Sequence, residues 1–138
     1  KTGGVALLCG DWCQVYDLPT FAEGGLNAHE LKDILQSTQI DFLIIEKQGA
    51  RPKQGVSSAF KIGMGYGQIL STVGVLNIKH QIVTPSAWKK ALHVPADKDG
   101  ARRLAIQQFP KVSDQLKRKK DEHRAEALLM AAYARAVE

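Results

Sequence analysis

The chain has 138 residues, of which 44% are hydrophobic, and carries a net charge of +5; this length and apolar content suit one domain with its own core. No apolar run approaches the roughly 20 residues that a membrane span needs, and the first residues lack a signal peptide's basic-then-apolar order, so we predict a soluble, cytoplasmic protein. The two cysteines, Cys9 and Cys13, are too few for a disulfide framework or a zinc site, so we predict reduced thiols.

The first part of the sequence predicts a β-hairpin followed by a helix. Residues 5–8 and 14–16 have the composition of strands, with a glycine turn signal between them. Asn27 and Glu30 have the spacing of a capping box, and apolar residues then recur at helical spacing up to about Ser37.

The most informative stretch is an apolar run, residues 40–45, that ends on the carboxylate of Glu46. The run is apolar on both faces, which predicts a central strand covered by helices. It opens at once into a glycine-rich loop, residues 47–55. From residue 47 to residue 61 the chain has no acid and four cations, which are Lys47, Arg51, Lys53 and Lys61. A carboxylate at the carboxyl end of a buried strand, beside such a loop, would place a metal ligand next to a phosphate backbone, which indicates nucleic-acid chemistry.

The remaining elements alternate between helices and strands. They are a long helix capped by Ser57-Ser58 and ending near Asn77, a strand at 80–83, a helix from Thr84-Pro85 to Leu92, a helix at 101–109 stopped by Pro110, a loop rich in Lys and Arg, and a last helix at about 121–137. This order predicts one α/β domain over residues 1–138 with a mixed β-sheet flanked by helices. The chain opens on the turn signal Lys1-Thr-Gly-Gly4, so the hairpin starts as though a preceding strand had been removed.

The start of the last helix carries candidate ligands. His123 and Glu126 are three residues apart and therefore share a helix face. Together with Glu46 they would suit Mg²⁺ or Mn²⁺, two of which about 4 Å apart can activate a water and stabilise the leaving oxygen of a phosphodiester. On spacing alone an ordinary explanation stays open, because acids at a helix N-terminus also complement the helix dipole.

Three segments resemble RuvC-type Holliday junction resolvases, particularly their phage-like branch. They are Ile44-Ile-Glu-Lys-Gln-Gly-Ala-Arg-Pro-Lys-Gln-Gly-Val-Ser-Ser58, Val83-Thr-Pro-Ser-Ala-Trp-Lys-Lys90 and Arg118-Lys-Lys-Asp-Glu-His-Arg-Ala-Glu-Ala-Leu-Leu129. The resemblance implies an RNase H-like fold, a homodimer, and nicking of symmetric strands at a four-way DNA junction with two Mg²⁺ (or Mn²⁺) ions held by four acidic or His ligands. It also implies a bacterial or phage-infected cell, and a role in DNA recombination, DNA repair or phage DNA processing.

The resemblance also assigns residues. Glu46 matches the second metal ligand, Glu126 the last, and His123 the ligand three residues before it, while Asp121 competes with His123 for that role. The residues expected to contact the DNA backbone are Lys47, Arg51, Lys53, Ser57, Lys89, Lys90, Lys117, Arg118, Lys119 and Lys120.

Two features depart from the family pattern. The family's first ligand, an Asp at the end of its first strand, would precede Lys1 and is not in the sequence, so we expect weak metal binding and little or no cleavage from these 138 residues alone. Some resolvases carry an aromatic wedge where this chain has Gly49, so junction opening would use another group, such as Phe60 or the loop backbone, or would involve less base unstacking.

Two other functions stay open. One is another RNase H-like nuclease that acts on flaps, replication forks or RNA–DNA hybrids, because the same ligands permit that chemistry. The other is a non-catalytic protein that binds branched DNA.

The glycines at positions 63, 65 and 67 fall inside the predicted long helix. They indicate that another helix packs closely against it, and a dimer interface is one place where this could occur.

Overall fold

The structure is a computed structural model that describes residues 3–138. Its strands are β1 (Gly4–Cys9), β2 (Trp12–Asp17), β3 (Leu43–Glu46) and β4 (His80–Val83), and its α-helices are α1 (Ala28–Leu35), α2 (Val56–Val75), α3 (Pro85–Ala91), α4 (Gly100–Gln108) and α5 (Glu122–Val137). The predicted α/β class is therefore confirmed. Over the described range, no helix is both long enough and apolar enough to cross a membrane.

The strands form two pairs, where we predicted a single mixed sheet. β1 and β2 are antiparallel, and β3 and β4 are parallel. The chain divides into two compact units, which we call the inserted unit (residues 19–84) and the hairpin unit (residues 3–18 and 85–138).

In the inserted unit, α1 begins at the cap predicted from the sequence. The Asn27 side-chain oxygen accepts a hydrogen bond from the backbone N–H of Glu30 at 3.1 Å, which satisfies one of the free donors at the helix start. Leu31 and Leu35 are buried, as the helical spacing predicts. The helix ends at Leu35, two residues before the predicted boundary.

Strand β3 is shorter than predicted and lies at an edge. It covers Leu43–Glu46 in place of residues 40–45, and Ile45 is its buried residue. Within residues 3–138 its hydrogen-bonded neighbour is β4 alone, so the prediction of a central strand is wrong for the described part of the chain. The pairing with β4 continues one residue beyond the strand, because the N–H of Lys47 donates to the carbonyl of Val83 at 2.7 Å.

Helix α2 begins without a serine cap. Gly55, in an extended conformation, is the N-cap residue and makes no side-chain bond, so the predicted cap at Ser57-Ser58 is wrong. The carbonyl of Gly55 already accepts from the N–H of Ala59, which places both serines inside the first turn.

The hairpin unit is built around α5, which packs on the β-hairpin. Leu128 and Leu129 of α5 are fully buried, whereas Ala127 and Met130 beside them are half-buried. Leu7 and Val15 supply the buried side chains of the hairpin. The predicted basic loop after α4 is partly helical, with 3₁₀ turns at Pro110–Gln115 and Lys119–Asp121.

The hairpin register keeps the two cysteines apart. Cys9 pairs with Trp12 and Cys13 pairs with Leu8, so the two thiols point to opposite faces of the hairpin. Both are free thiols, and burial raises the pKa of Cys13.

Candidate functional site

Glu46 stands at the carboxyl end of the parallel pair. It is the last residue of β3, lies opposite Val83 of β4, and is half-buried. Because parallel strands end at the same edge, the chain leaves both strands on the side of Glu46. The position predicted for this carboxylate at a strand end is therefore confirmed.

The loop after Glu46 presents its cations to solvent. Lys47, Arg51 and Lys53 are all exposed. A turn closed by Arg51 and Gln54 holds the loop, since the Arg51 N–H donates to the Gln54 side chain at 2.9 Å and the Gln54 N–H donates back at 3.1 Å. Lys53 takes a positive φ of 67°, which turns the backbone ahead of α2. A cationic surface without an acid of its own suits a polyanion.

The first turn of α5 carries His123 and Glu126, both half-buried. Lys89 of α3, which we expected to contact phosphate, lies beside Glu126 with its Nζ 3.4 Å from Oε2. Sequence reasoning placed these two residues in separate roles, and the structure pairs them within the hairpin unit.

Asp121 is buried and is held by arginine. Its side chain is 2% exposed. One carboxylate oxygen accepts from the Arg118 backbone N–H at 2.9 Å and from Nε at 3.2 Å, and the other accepts from Nη2 at 2.9 Å. These hydrogen bonds from Arg118 hold the pKa of the Asp121 carboxyl below its ordinary range.

Arg124 connects three parts of the hairpin unit, a role that the sequence did not reveal. Its Nε and Nη2 donate to the two carboxylate oxygens of Asp17 at 2.8 and 3.1 Å, and Nη1 donates to the carbonyl of Gln115 at 3.1 Å. Nη1 also lies 3.6 Å from Asp121. The ion pair lowers the pKa of Asp17 and raises that of Arg124.

The other cations proposed for DNA contact are exposed. Lys117 reaches Asp114 at 2.9 Å, a pair of exposed side chains that contributes little to stability. Arg118, Lys90, Lys119 and Lys120 are exposed as well, and so is the uncharged Ser57 of the same predicted set.

The carboxylates near the start of α5 have cationic neighbours. In the part of the chain that the structure describes, no group of three or more His, Cys, Asp or Glu side chains is arranged to hold a metal ion. Asp121 faces two arginines and Glu126 faces a lysine. In the structure these two carboxylates are therefore paired with cations of the hairpin unit.

Comparison with known proteins does not place the chain in a family. No model of a protein family matches it, and no curated protein matches it.

Proposed function

We propose that this chain binds branched DNA as the RNase H-like domain of a RuvC-type endonuclease, which cleaves phosphodiester bonds at four-way junctions. The observation that carries the proposal is the position of Glu46. This carboxylate ends a strand of a parallel pair and is followed directly by an exposed loop that carries Lys47, Arg51 and Lys53. A carboxylate next to a cationic loop suits chemistry on a phosphate backbone.

The resemblance in three segments supports the same proposal. The order of hairpin, helix, parallel strand, helix, strand and C-terminal helix is compatible with an RNase H-like fold. Lys119 and Lys120, cations of the last segment, are exposed shortly before α5 and add positive charge to the surface of the hairpin unit. The homodimer and the symmetric nicking belong to the proposal through the resemblance alone.

The proposal includes Mg²⁺ or Mn²⁺, for which Glu46, His123 and Glu126 are the proposed ligands. Such an ion would supply Lewis-acid stabilisation of phosphate oxygens. The resemblance also implies a fourth ligand, an Asp at the end of a strand, for which it matches no residue of this sequence.

Binding is the first test. The 138-residue chain is titrated with a fluorescent four-way junction and with a linear duplex of the same arm sequences, at one fixed salt concentration because phosphate contacts depend strongly on salt. We expect tighter binding of the junction. Equal affinity for both substrates would refute selectivity for branched DNA.

Cleavage is the second test. A version extended by an N-terminal strand that ends in Asp is assayed on a junction, a flap and an RNA–DNA hybrid with Mg²⁺ or Ca²⁺, beside its Glu46→Gln variant. Paired symmetric nicks in the junction that disappear in the variant would support the proposal. Faster cutting of the flap or hybrid would favour another RNase H-like nuclease, and tight binding without any cleavage would favour a non-catalytic branched-DNA-binding protein. Robust Mg²⁺-dependent cleavage by the 138 residues alone would refute the assignment to this family.

A further inference from the structure

We propose that Arg124, together with Asp17 and Asp121, is a positioning residue that fixes the first turn of α5 and thereby sets where His123 and Glu126 point. The functional part of this inference rests on the proposed function, in which those two residues belong to the active site. Asp121 then serves as the buried counter-charge of the arginines and not as a ligand.

The hairpin holds the first turn of α5 at one end. Gly4 and Asp17 are partners in the register of β1 and β2, so both lie at the same end of the hairpin. Asp17 binds the Arg124 side chain, and Gly4 lies against the backbone of His123 and Arg124. Two adjacent points of one rigid hairpin therefore contact two successive residues of α5.

The other end of the hairpin holds the end of α5. Nη1 of Arg135 donates to the carbonyl of Gly10, in the hairpin turn, at 2.9 Å. Contacts at both ends oppose rotation and sliding of the helix along the hairpin. Both motions would move His123, which lies at the first of these contacts, and Glu126, which lies between the two.

The guanidinium of Arg124 is suited to this task because it is planar and binds in several directions at once. It forks onto Asp17, bonds the Gln115 carbonyl and lies beside Asp121, with only 19% of its side chain exposed. A lysine carries the same charge but lacks the planar group that donates two parallel hydrogen bonds to a carboxylate. A helix start held from three directions has its side chains set before any ligand arrives, which is the requirement for an active-site geometry.

Asp121 fits the same network better than a ligand role. Both of its carboxylate oxygens accept hydrogen bonds from Arg118, and Arg124 lies beside one of them. A metal ion at this carboxylate would have to displace those cations from a side chain that is 2% exposed. The assignment therefore favours His123 over Asp121 as the residue that faces a substrate.

The test is hydrogen exchange in Arg124→Gln. In a helix that begins at Glu122, the amides of Glu126 and Ala127 donate to the carbonyls of Glu122 and His123, so their exchange reports opening of the first turn. We expect exchange at these two amides to rise about tenfold, as the loss of charged hydrogen bonds permits local opening. Exchange at Leu128 and Leu129 should change less than about twofold, since local opening leaves the core closed.

Arg103→Gln is the matched control. Arg103 lies on α4, another helix of the hairpin unit, and also donates two hydrogen bonds to one carboxylate, from Nη2 and Nη1 to Asp97 at 2.9 and 3.0 Å. Its loss should leave Glu126 and Ala127 unchanged. Equal exchange at those amides in the Arg124 and Arg103 variants would overturn the proposal, and so would a uniform rise through Leu129, because that pattern reports only global stability.

Two further variants keep the proposal testable if Arg124→Gln does not fold. Asp17→Asn removes the fork from a carboxylate that is 68% exposed and should raise exchange at the same two amides. Arg124→Lys keeps the charge and should not restore wild-type exchange, whereas full restoration would show that charge alone suffices and would refute the positioning role. The exchange result is independent of DNA, so equal affinity for the junction and the duplex would defeat the proposed function and leave the positioning of α5 to stand or fall by these measurements.

Discussion

Gly4 lies so close to the backbone of His123 that a β-carbon at position 4 would lie 2.6 Å from the His123 carbonyl carbon and 3.0 Å from the N–H nitrogen of Arg124. Both obstacles are backbone atoms and cannot rotate away as a side chain can. Strand β1 and the first turn of α5 can therefore meet at this distance only where position 4 has no side chain.

Gly4→Ala should consequently destabilise the hairpin unit by about 1–3 kcal/mol, the usual cost of overpacking. Chemical denaturation at neutral pH measures the change. Gly49→Ala is the control, because a β-carbon at Gly49 meets nothing within 4 Å. Equal stability of the two variants would show that β1 and α5 do not approach as closely as described.

Asp121→Asn should lower the free energy of unfolding by about 2–4 kcal/mol at neutral pH, because it leaves Arg118 and Arg124 without their buried partner. The direction in which this loss of stability changes with pH follows from the lowered pKa of Asp121. A carboxyl whose pKa is lower in the folded state stabilises the fold above its ordinary pKa of 3.8, and this stabilisation is lost as the pH falls through the folded-state pKa.

The difference between wild type and Asp121→Asn should therefore shrink as the pH is taken below 3.8. Urea unfolding at a series of pH values measures it. Asp114→Asn is a suitable control, because Asp114 pairs with Lys117 but is 87% exposed and should have little effect at any pH. A difference that stays constant into acid would argue against the ion pair with Arg118.

Sequence reasoning succeeded where the signal is local. The Asn27 cap is visible in the sequence because the side-chain oxygen of Asn27 and the Glu30 N–H that it binds are only three residues apart. Strand β4 has its predicted bounds, His80–Val83, because Thr84-Pro85 ends the strand. The start of α2 was misplaced because Ser57 and Ser58 are good caps, but the extended Gly55 precedes them and already begins the helix.

The parts of the site that sequence reasoning missed depend on distant contacts. Asp17 and Arg124 are 107 positions apart, and nothing near either residue indicates the other. Gly4 was interpreted as part of a turn signal, whereas its close approach to His123 becomes visible only when α5 packs on the hairpin. A local signal for the Arg118–Asp121 pair was present, since the two residues are three apart, yet the ligand hypothesis for Asp121 obscured it.

The exposed loop after β3 provides a test of the DNA interface. Lys47→Gln with Arg51→Gln should weaken junction binding and should lower the slope of log affinity against log salt by about 2, since each lost phosphate contact contributes roughly 0.9. Lys32→Gln with Lys98→Gln removes the same charge elsewhere and should leave the slope nearly unchanged. If both double variants reduced the slope equally, the effect would reflect net charge and the loop would have no specific role.

Helix α2 yields a prediction of opposite sign from that for Gly4. Gly67 lies inside α2, and a β-carbon there would meet nothing within 4 Å. Gly67→Ala should therefore raise the free energy of unfolding by about 0.5–1 kcal/mol, the gain from replacing a glycine inside a helix.

The proposed homodimer makes the measurement informative, because glycines are also used where a second helix packs closely. Thermal unfolding should be followed at several protein concentrations beside sedimentation analysis. A stability gain independent of concentration would place Gly67 outside any interface, whereas a loss that grows with concentration would show that a second copy packs against α2 at this position.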